Sequence, residues 1–300
     1  MTDVVGVGGA LLLGLVQGLT EFLPISSSAH IRIVSELLTG ADAGAAFTAV
    51  IQLGTETAVL LYFRRDLARI LGHWWRALRG ALGTDWRSRM GMPAGRDWDH
   101  DALMAWFIAL GSIPVVVFGV LFKESIETTL RNLWITAFVL AAFALVLGYA
   151  DRVGAHRRTL AELTPRHAVW FGLWQSLALI PGVSRSGGTI TGGLFLGYTR
   201  EAAARYSFLL AIPAVFGSGL FEFATSFDEF GTGNTPSLGV TFLATLVAFV
   251  VGYVVIIGFL RLISNHSYTF FVWYRIGLAV LVVLLLVTGA LEANAPVPAG

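Results

Sequence analysis

Residues 14–28 read GLVQGLTEFLPISSS, and 158 residues later residues 172–186 read GLWQSLALIPGVSRS. In both stretches an apolar helical pattern is interrupted by proline and followed at once by serines. Proline ends a helix because it lacks a backbone N–H and its ring clashes with the preceding turn. Hydroxyl-rich breaks inside apolar segments are unfavourable in lipid, so both are candidates for function. We call residues 24–28 the first elbow and residues 181–186 the second elbow.

The composition around these elbows is typical of a membrane protein. Of the 300 residues, 56% are hydrophobic and 13% are charged, whereas soluble domains carry roughly 25% charged residues. The chain has no cysteine, which excludes disulfides and thiolate metal sites. No basic patch suggests a nucleic-acid partner. The sequence therefore predicts an all-α integral membrane protein that forms one domain over residues 1–300, with membrane lipids as its surroundings.

Hydropathy predicts six spanning helices, each near the roughly 20 residues that a hydrocarbon core requires. Their expected ranges are about 44–63, 103–122, 132–150, 206–224, 238–260 and 270–291. Four shorter apolar pieces remain at 4–22, 28–39, 168–180 and 187–198. The elbows join these pieces in pairs, which predicts two re-entrant helical hairpins, although 4–22 is long enough to span by itself. The internal repeats would cover approximately residues 1–150 and 165–292.

The arginines predict which side of the membrane each loop faces. The loop 64–102 holds eight arginines, whereas the stretch 225–237 has two acidic residues and neither lysine nor arginine. By the positive-inside rule the first loop is cytoplasmic and the second faces outward. Threading six spans through these sides places both termini outside and inserts the two hairpins from opposite sides. The loop 64–102 is also expected to contain an amphipathic interfacial segment.

The first elbow combines a carboxylate with the start of a helix. Gln17 and Glu21 are four residues apart, so they share one face of the preceding helix. The segment 26–28 lies where the next helix begins, and free N–H groups at a helix N-terminus bind anions. His30 falls in the first turn of that helix. Glu21 is a candidate general base or a ligand for Mg²⁺ or Ca²⁺.

The second elbow adds an arginine in an apolar region. Burying Arg185 is unfavourable without an anion, and its planar guanidinium suits a pair of phosphate oxygens. Gly182 permits close approach of the backbone to a ligand. Together the elbows therefore predict a site for phosphoryl chemistry, in which a serine or histidine attacks and Arg185 neutralises charge. The structural alternative is a buried ion pair between Arg185 and Glu21.

Other polar residues in apolar segments are weaker candidates. Glu56 lies inside a predicted span and is a further functional candidate. Glu222 and Arg275 are expected near helix ends, where long side chains extend to the interface. The stretch 97–101, DWDHD, resembles a set of metal ligands, but its position in a charged loop favours solvated side chains.

At these residues the chain closely resembles the undecaprenyl-pyrophosphate phosphatase family, the integral-membrane type linked with bacitracin resistance. Gln17 and Glu21 match the motif Glu/Gln-x-x-x-Glu, and residues 22–30, FLPISSSAH, match the segment that follows it. Residues 181–189, PGVSRSGGT, match the motif Pro-Gly-x-Ser-Arg-Ser-x-x-Thr without a gap. Gln17 stands where other members carry glutamate, which leaves open whether two carboxylates hold a cation there.

The resemblance implies hydrolysis of undecaprenyl diphosphate to undecaprenyl phosphate and inorganic phosphate, which recycles the lipid carrier of cell-wall synthesis. It further implies a bacterial plasma-membrane protein with a site open to the periplasmic side, a divalent cation and an inverted repeat. Position by position, Ser27 is the nucleophile, Arg185 binds the diphosphate, Glu21 is the base or cation ligand, and His30 takes part in proton transfer. The residues expected to contact the substrate are Gln17, Ser26, Ser28, Gly182, Ser184, Ser186 and Thr189.

Three alternatives stay open at the level of sequence. Attack by His30 would form a phosphohistidine instead of a phosphoserine. Inverted repeats with broken helices also occur in secondary transporters, so the chain could be a lipid or anion transporter or flippase. Glycine-rich helices such as 187–198 permit close helix contacts either within one chain or between two subunits of a homodimer.

Overall fold

The computed structural model describes residues 5–95, 97–127, 129–232 and 235–294, without the side chain of residue 127. Within these ranges the chain is helical, which confirms the predicted all-α class. Both chain ends lie outside the described residues, so the side of the membrane predicted for each terminus stays a prediction. The α-helices are α1 Val7–Thr20, α2 Ser27–Thr39, α3 Ala45–Tyr62, α4 Arg64–Leu78, α5 Trp86–Arg89, α6 His100–Leu121, α7 Lys123–Glu127, α8 Leu133–Val153, α9 Pro165–Ser176, α10 Arg185–Phe195, α11 Arg200–Thr225, α12 Leu238–Asn265 and α13 Thr269–Val287.

Six of these helices are long and apolar enough to cross a membrane: α3, α6, α8, α11, α12 and α13. They correspond one for one to the six spans predicted from hydropathy. Several extend further than predicted at the end where charged residues follow, for example α11, which begins at Arg200 rather than near residue 206. Helical hydrogen bonding continues into water, whereas hydropathy marks only the apolar part of a helix.

The short apolar pieces form two helix pairs around the elbows. The first elbow separates α1 from α2, and the second elbow, preceded by a 3₁₀ turn at Leu177–Leu179, separates α9 from α10. Within each pair the two helices pack against each other. This pairing agrees with two helical hairpins; their re-entrant insertion into the membrane stays a prediction.

Each helical hairpin packs against a spanning helix from the other half of the chain. Helix α1 packs against α12 of the second half, and α9 packs against α6 of the first half. The equivalent glycines of the two repeated stretches make both contacts possible. A Cβ on Gly14 would overlap the carbonyl oxygen of Ala244, and a Cβ on Gly172 would overlap that of Gly111. These two contacts hold each hairpin against the other half of the chain, and the internal repeat stays a prediction.

The arginine-rich loop contains the amphipathic helix α4, whose Arg64, Arg69 and Trp75 are exposed. The acidic residues that follow it have protein partners. Asp99 caps α6 by accepting a hydrogen bond from the Ala102 N–H, and its carboxylate also contacts His73 at 2.9 Å. Asp99 is therefore a helix cap, while Asp101 forms an ion pair with Arg69 at 3.0 Å.

Candidate active site

The two elbows lie in direct contact, as their shared composition predicts. The Ser186 hydroxyl of the second elbow donates a hydrogen bond to the carbonyl oxygen of Leu23, at 3.0 Å. The guanidinium of Arg185 forms an ion pair with the Glu21 carboxylate. These contacts bridge more than 160 residues of sequence. Two breaks that are far apart in the chain therefore form one polar cluster inside an apolar bundle.

Both elbows have the same unusual backbone. Ser26 and Ser184, the residues that precede α2 and α10, have φ angles of 72° and 70°. This left-handed conformation costs a non-glycine residue about 1–3 kcal/mol and is concentrated at functional sites. In each elbow the hydroxyls of the alternate serines lie 3.2 Å apart, Ser26 with Ser28 and Ser184 with Ser186. The strain is therefore a shared feature of the site.

The Glu21 carboxylate is the centre of the cluster. Its Oε2 accepts hydrogen bonds from the Ser27 hydroxyl at 2.5 Å and from the Gln17 side-chain amide at 2.7 Å. Its Oε1 contacts Arg185. Glu21 is only 7% exposed, whereas Ser27 is half-buried. The carboxylate is thus placed to take a proton from Ser27.

The guanidinium of Arg185 does not use all of its hydrogen-bond donors. The ion pair expected in the structural alternative is present, but Arg185 is not sealed, because 17% of its side chain is exposed. Its Nη1 has no hydrogen-bond partner among the residues that the structure describes. The carboxylate of Glu56 lies 3.6 Å from its Nη2. An anion entering the cluster would therefore find a guanidinium with free donors.

Both ring nitrogens of His30 have partners. Its Nδ1 lies 2.7 Å from the Ser26 carbonyl oxygen, and its Nε2 lies 2.7 Å from the Tyr274 hydroxyl. Because a carbonyl only accepts, we assign the proton of the neutral ring to Nδ1, so that Nε2 accepts from Tyr274. The hydrogen bonds of His30 therefore lead to Ser26 and Tyr274 and not to Ser27. Sequence reasoning missed Tyr274, which belongs to no motif.

Several predicted substrate contacts stabilise the elbows themselves. Gln17 is fully buried and holds Glu21. The Thr189 hydroxyl donates to the carbonyl of Arg185 in its own helix. Ser184 caps α10 by accepting from the Gly187 N–H, whereas Ser26 makes no side-chain cap with α2. The first-turn N–H groups of α2 thus lack the side-chain acceptor that α10 has.

The prediction that Arg275 reaches the membrane interface is wrong. Arg275 is 0% exposed and donates to backbone carbonyls of both elbows. Its Nη1 lies 3.2 Å from the carbonyl oxygen of Pro24 and 3.0 Å from that of Val183, while its Nη2 lies 2.7 Å from that of Gly182. The elbow backbones have no regular helical partners at these carbonyls, and the guanidinium supplies the missing donors. Arg275 therefore joins the elbows to each other.

A cavity of about 290 Å³ opens beside the cluster. Ser28 and Pro181 contribute one residue from each elbow, and Gln52 and Thr48 contribute the wall from α3. Arg131 and Asp42, which form an ion pair, lie at the end near the start of α3. A larger cavity, of about 610 Å³, lies in the arginine-rich loop, and none of its lining residues belongs to an elbow.

The chain resembles known proteins over nearly its whole length. The family model described as bacitracin resistance protein BacA matches residues 10–281. An undecaprenyl-diphosphatase of Bifidobacterium adolescentis is 55% identical over 293 residues, which cover 97% of this chain and 98% of the relative. Similar proteins of the same name occur in Kineococcus radiotolerans, 57% identical over 96% of each chain, and in Renibacterium salmoninarum, 55% identical over 95% of this chain and 98% of the relative.

Proposed function

The chain belongs to the bacitracin resistance protein BacA family, and from this premise we propose that it is an undecaprenyl-diphosphatase of the membrane. It hydrolyses undecaprenyl diphosphate to undecaprenyl phosphate and inorganic phosphate. The relatives that carry this name cover nearly the whole chain. The observation that carries the residue assignment is the position of Glu21, which contacts both Ser27 and Arg185.

We propose that Ser27 is the nucleophile. Glu21 accepts the hydroxyl proton while the Ser27 oxygen forms a bond to the terminal phosphorus and the bond from phosphorus to the bridging oxygen breaks. Undecaprenyl phosphate leaves with the electron pair of that bond. Water then cleaves the phosphoserine and releases inorganic phosphate. The short hydrogen bond from Ser27 to Glu21 supports Glu21 as the base in the first step.

Arg185 and His30 have supporting roles in this proposal. The free Nη1 of Arg185 binds the phosphate oxygens and neutralises the charge that develops on them. His30 takes part in proton transfer, with its ring oriented by the Tyr274 hydroxyl at Nε2. Attack by His30 itself would first require its Nε2 to leave the Tyr274 hydroxyl, which favours Ser27 as the nucleophile.

The side-chain oxygens beside Glu21 also fit, as ligands, the divalent cation that the family resemblance implies. The Oε1 of Gln17 is buried without a hydrogen-bond partner among the described residues, and it lies in the same cluster as the Glu21 carboxylate. Amide and carboxylate oxygens are ligands that Mg²⁺ and Ca²⁺ prefer. When bound, such an ion would lower the charge on the phosphate oxygens.

We further propose that the site opens to the outer side of the membrane and that both termini lie on that side. The cavity beside Ser28 and Pro181 supports this orientation, because it extends toward the start of α3, opposite to the arginine-rich loop that follows α3.

The glycine-rich helix α10 makes its close contacts within one chain, where Gly192 packs against Trp174 and Gly193 packs against Phe171. The homodimer expected from glycine-rich helices therefore stays a prediction.

The test is phosphate release by the purified protein in detergent, given undecaprenyl diphosphate and Mg²⁺. We expect one inorganic phosphate and one undecaprenyl phosphate for each substrate molecule. A transporter needs two compartments, so detergent solution separates hydrolysis from transport. Absence of phosphate release would overturn the proposal; the names of the relatives do not favour the transporter alternative.

A further inference from the structure

Glu56 of α3 is a buried carboxylate without hydrogen bonds. It is 0% exposed, and neither of its oxygens has a partner among the residues that the structure describes. Its neighbour Thr55 accepts a hydrogen bond from the Gln17 side-chain amide at 3.4 Å, which places α3 directly against the Gln17 side of the cluster. An ionised carboxylate in this environment is unfavourable unless a cation compensates it.

Arg185 is the nearest cation, but it is shared. Its Nη2 contacts Glu21 closely and lies 3.6 Å from Glu56, which is beyond hydrogen-bond distance. One guanidinium thus faces two carboxylates. When a diphosphate binds Arg185, both carboxylates lose part of this compensation at the moment when more negative charge enters the site. A second cation in the pocket would restore this compensation.

The orphaned oxygens indicate where that cation binds. The Oε1 of Gln17 and both oxygens of Glu56 are buried acceptors without donors, and the Glu21 carboxylate joins Gln17 to Arg185. Buried oxygen acceptors that receive no hydrogen bond suit a hard divalent cation.

We propose that Glu56 is the second carboxylate of the divalent-cation site, together with Glu21 and the Oε1 of Gln17. This inference rests on the proposed function and deepens it. At position 17, where a glutamate would supply that charge, this chain has glutamine, and Glu56 supplies it from α3 instead. Two carboxylates and one amide do not complete the six or more ligands of Mg²⁺ or Ca²⁺. Phosphate oxygens and water provide the others, so the cation and the diphosphate bind cooperatively.

The experiment measures Mn²⁺ binding to the detergent-purified protein by electron paramagnetic resonance, with and without methylenediphosphonate, a diphosphate that cannot be hydrolysed. The wild-type chain should bind Mn²⁺ more tightly when the diphosphonate is present. Glu56→Gln should lower the Mn²⁺ affinity by at least tenfold and abolish most of the enhancement. Glu222→Gln, which changes a carboxylate of α11 outside the cluster, should leave both unchanged.

If Glu56→Gln folds poorly, a double variant that moves the carboxylate from position 56 to position 17 still tests the role of Glu56. The double variant Gln17→Glu with Glu56→Gln restores two carboxylates and should recover Mn²⁺ affinity to within about threefold of wild type. Mn²⁺ binding by Glu56→Gln that equals wild type, or failure of the swap to restore binding in a folded protein, overturns the role of Glu56. Either result leaves phosphate release by the wild-type chain untouched. Absence of that release would instead overturn the proposed function.

Discussion

Ser27 and Arg185 occupy the same position in the two elbows, and both contact the carboxylate of Glu21. Each is the first residue of its helix and follows a serine with positive φ. The Ser27 hydroxyl donates to one oxygen of Glu21, and the Arg185 guanidinium contacts the other. Corresponding positions of the two elbows thus supply different chemistry to one carboxylate. The hydroxyl provides a nucleophile, and the guanidinium provides positive charge.

Replacement of the Ser27 hydroxyl should abolish turnover. In Ser27→Ala we expect phosphate release to fall by at least about 10³-fold, because loss of a nucleophile leaves only binding and electrostatic stabilisation. The assay is phosphate release from undecaprenyl diphosphate in detergent. Ser264→Ala, at the exposed end of α12, serves as the control. Full activity of Ser27→Ala would eliminate Ser27 as nucleophile and favour His30.

Tyr274→Phe should slow the reaction without unfolding the protein. The variant keeps the ring stacked beside His30 but removes the hydroxyl that Nε2 contacts. Loss of one hydrogen bond of about 1 kcal/mol predicts a decrease in kcat of roughly fivefold. Measurement of kcat and KM over a range of pH checks this expectation. A profile identical to wild type would show that Tyr274 does not orient His30 during turnover.

Arg275→Met should damage both stability and activity. The substitution removes the donors for Pro24, Gly182 and Val183 while keeping similar volume. Buried carbonyls left without donors cost about 1–3 kcal/mol each, so the free energy of unfolding should fall by at least about 2 kcal/mol. Thermal unfolding in detergent measures the loss, with Arg261→Met at an exposed position of α12 as the control. Equal unfolding temperatures for the two variants would contradict the bridging role of Arg275.

Gly172→Ala should force α9 away from α6. The added methyl group would overlap the backbone of Gly111, which cannot move as a flexible side chain can. Overpacking of this kind costs about 1–3 kcal/mol, and it should also displace the second elbow and lower phosphate release. Gly258→Ala is the matched control, because no atom of the described residues lies within 4 Å of a Cβ at that position. Both variants are compared by thermal unfolding and by activity; similar values would argue against close packing at Gly172.

Much of the candidate site can be predicted from the sequence, because the patterns that indicate it span only a few consecutive residues. The run of three serines after Pro24 predicts the start of α2, and the arginine between two serines predicts a polar centre at the start of α10. The likeness of the two stretches correctly predicts that the elbows meet. Glu56 gives a much weaker signal, since a single carboxylate in an apolar run carries no information about its partner.

The misplacement of Arg275 has a physical cause. A lone arginine near the start of an apolar helix is usually explained by extension to the membrane interface. Its actual partners are carbonyls at residues 24, 140, 182 and 183, which belong to three separate segments. No periodicity in α13 reports those partners. Tyr274, the preceding residue, was missed for the same reason.

The chain alone predicts the six spanning helices, the two short helix pairs and the polar elbows between them. These features follow from the length of apolar runs and from proline, which act within a few residues of chain. Three relationships become visible only in the folded molecule: Glu56 shares Arg185 with Glu21, Tyr274 contacts His30, and Arg275 joins the elbows. Those contacts depend on how α3 and α13 pack around the hairpins, and such packing is set by surfaces from both halves of the chain together.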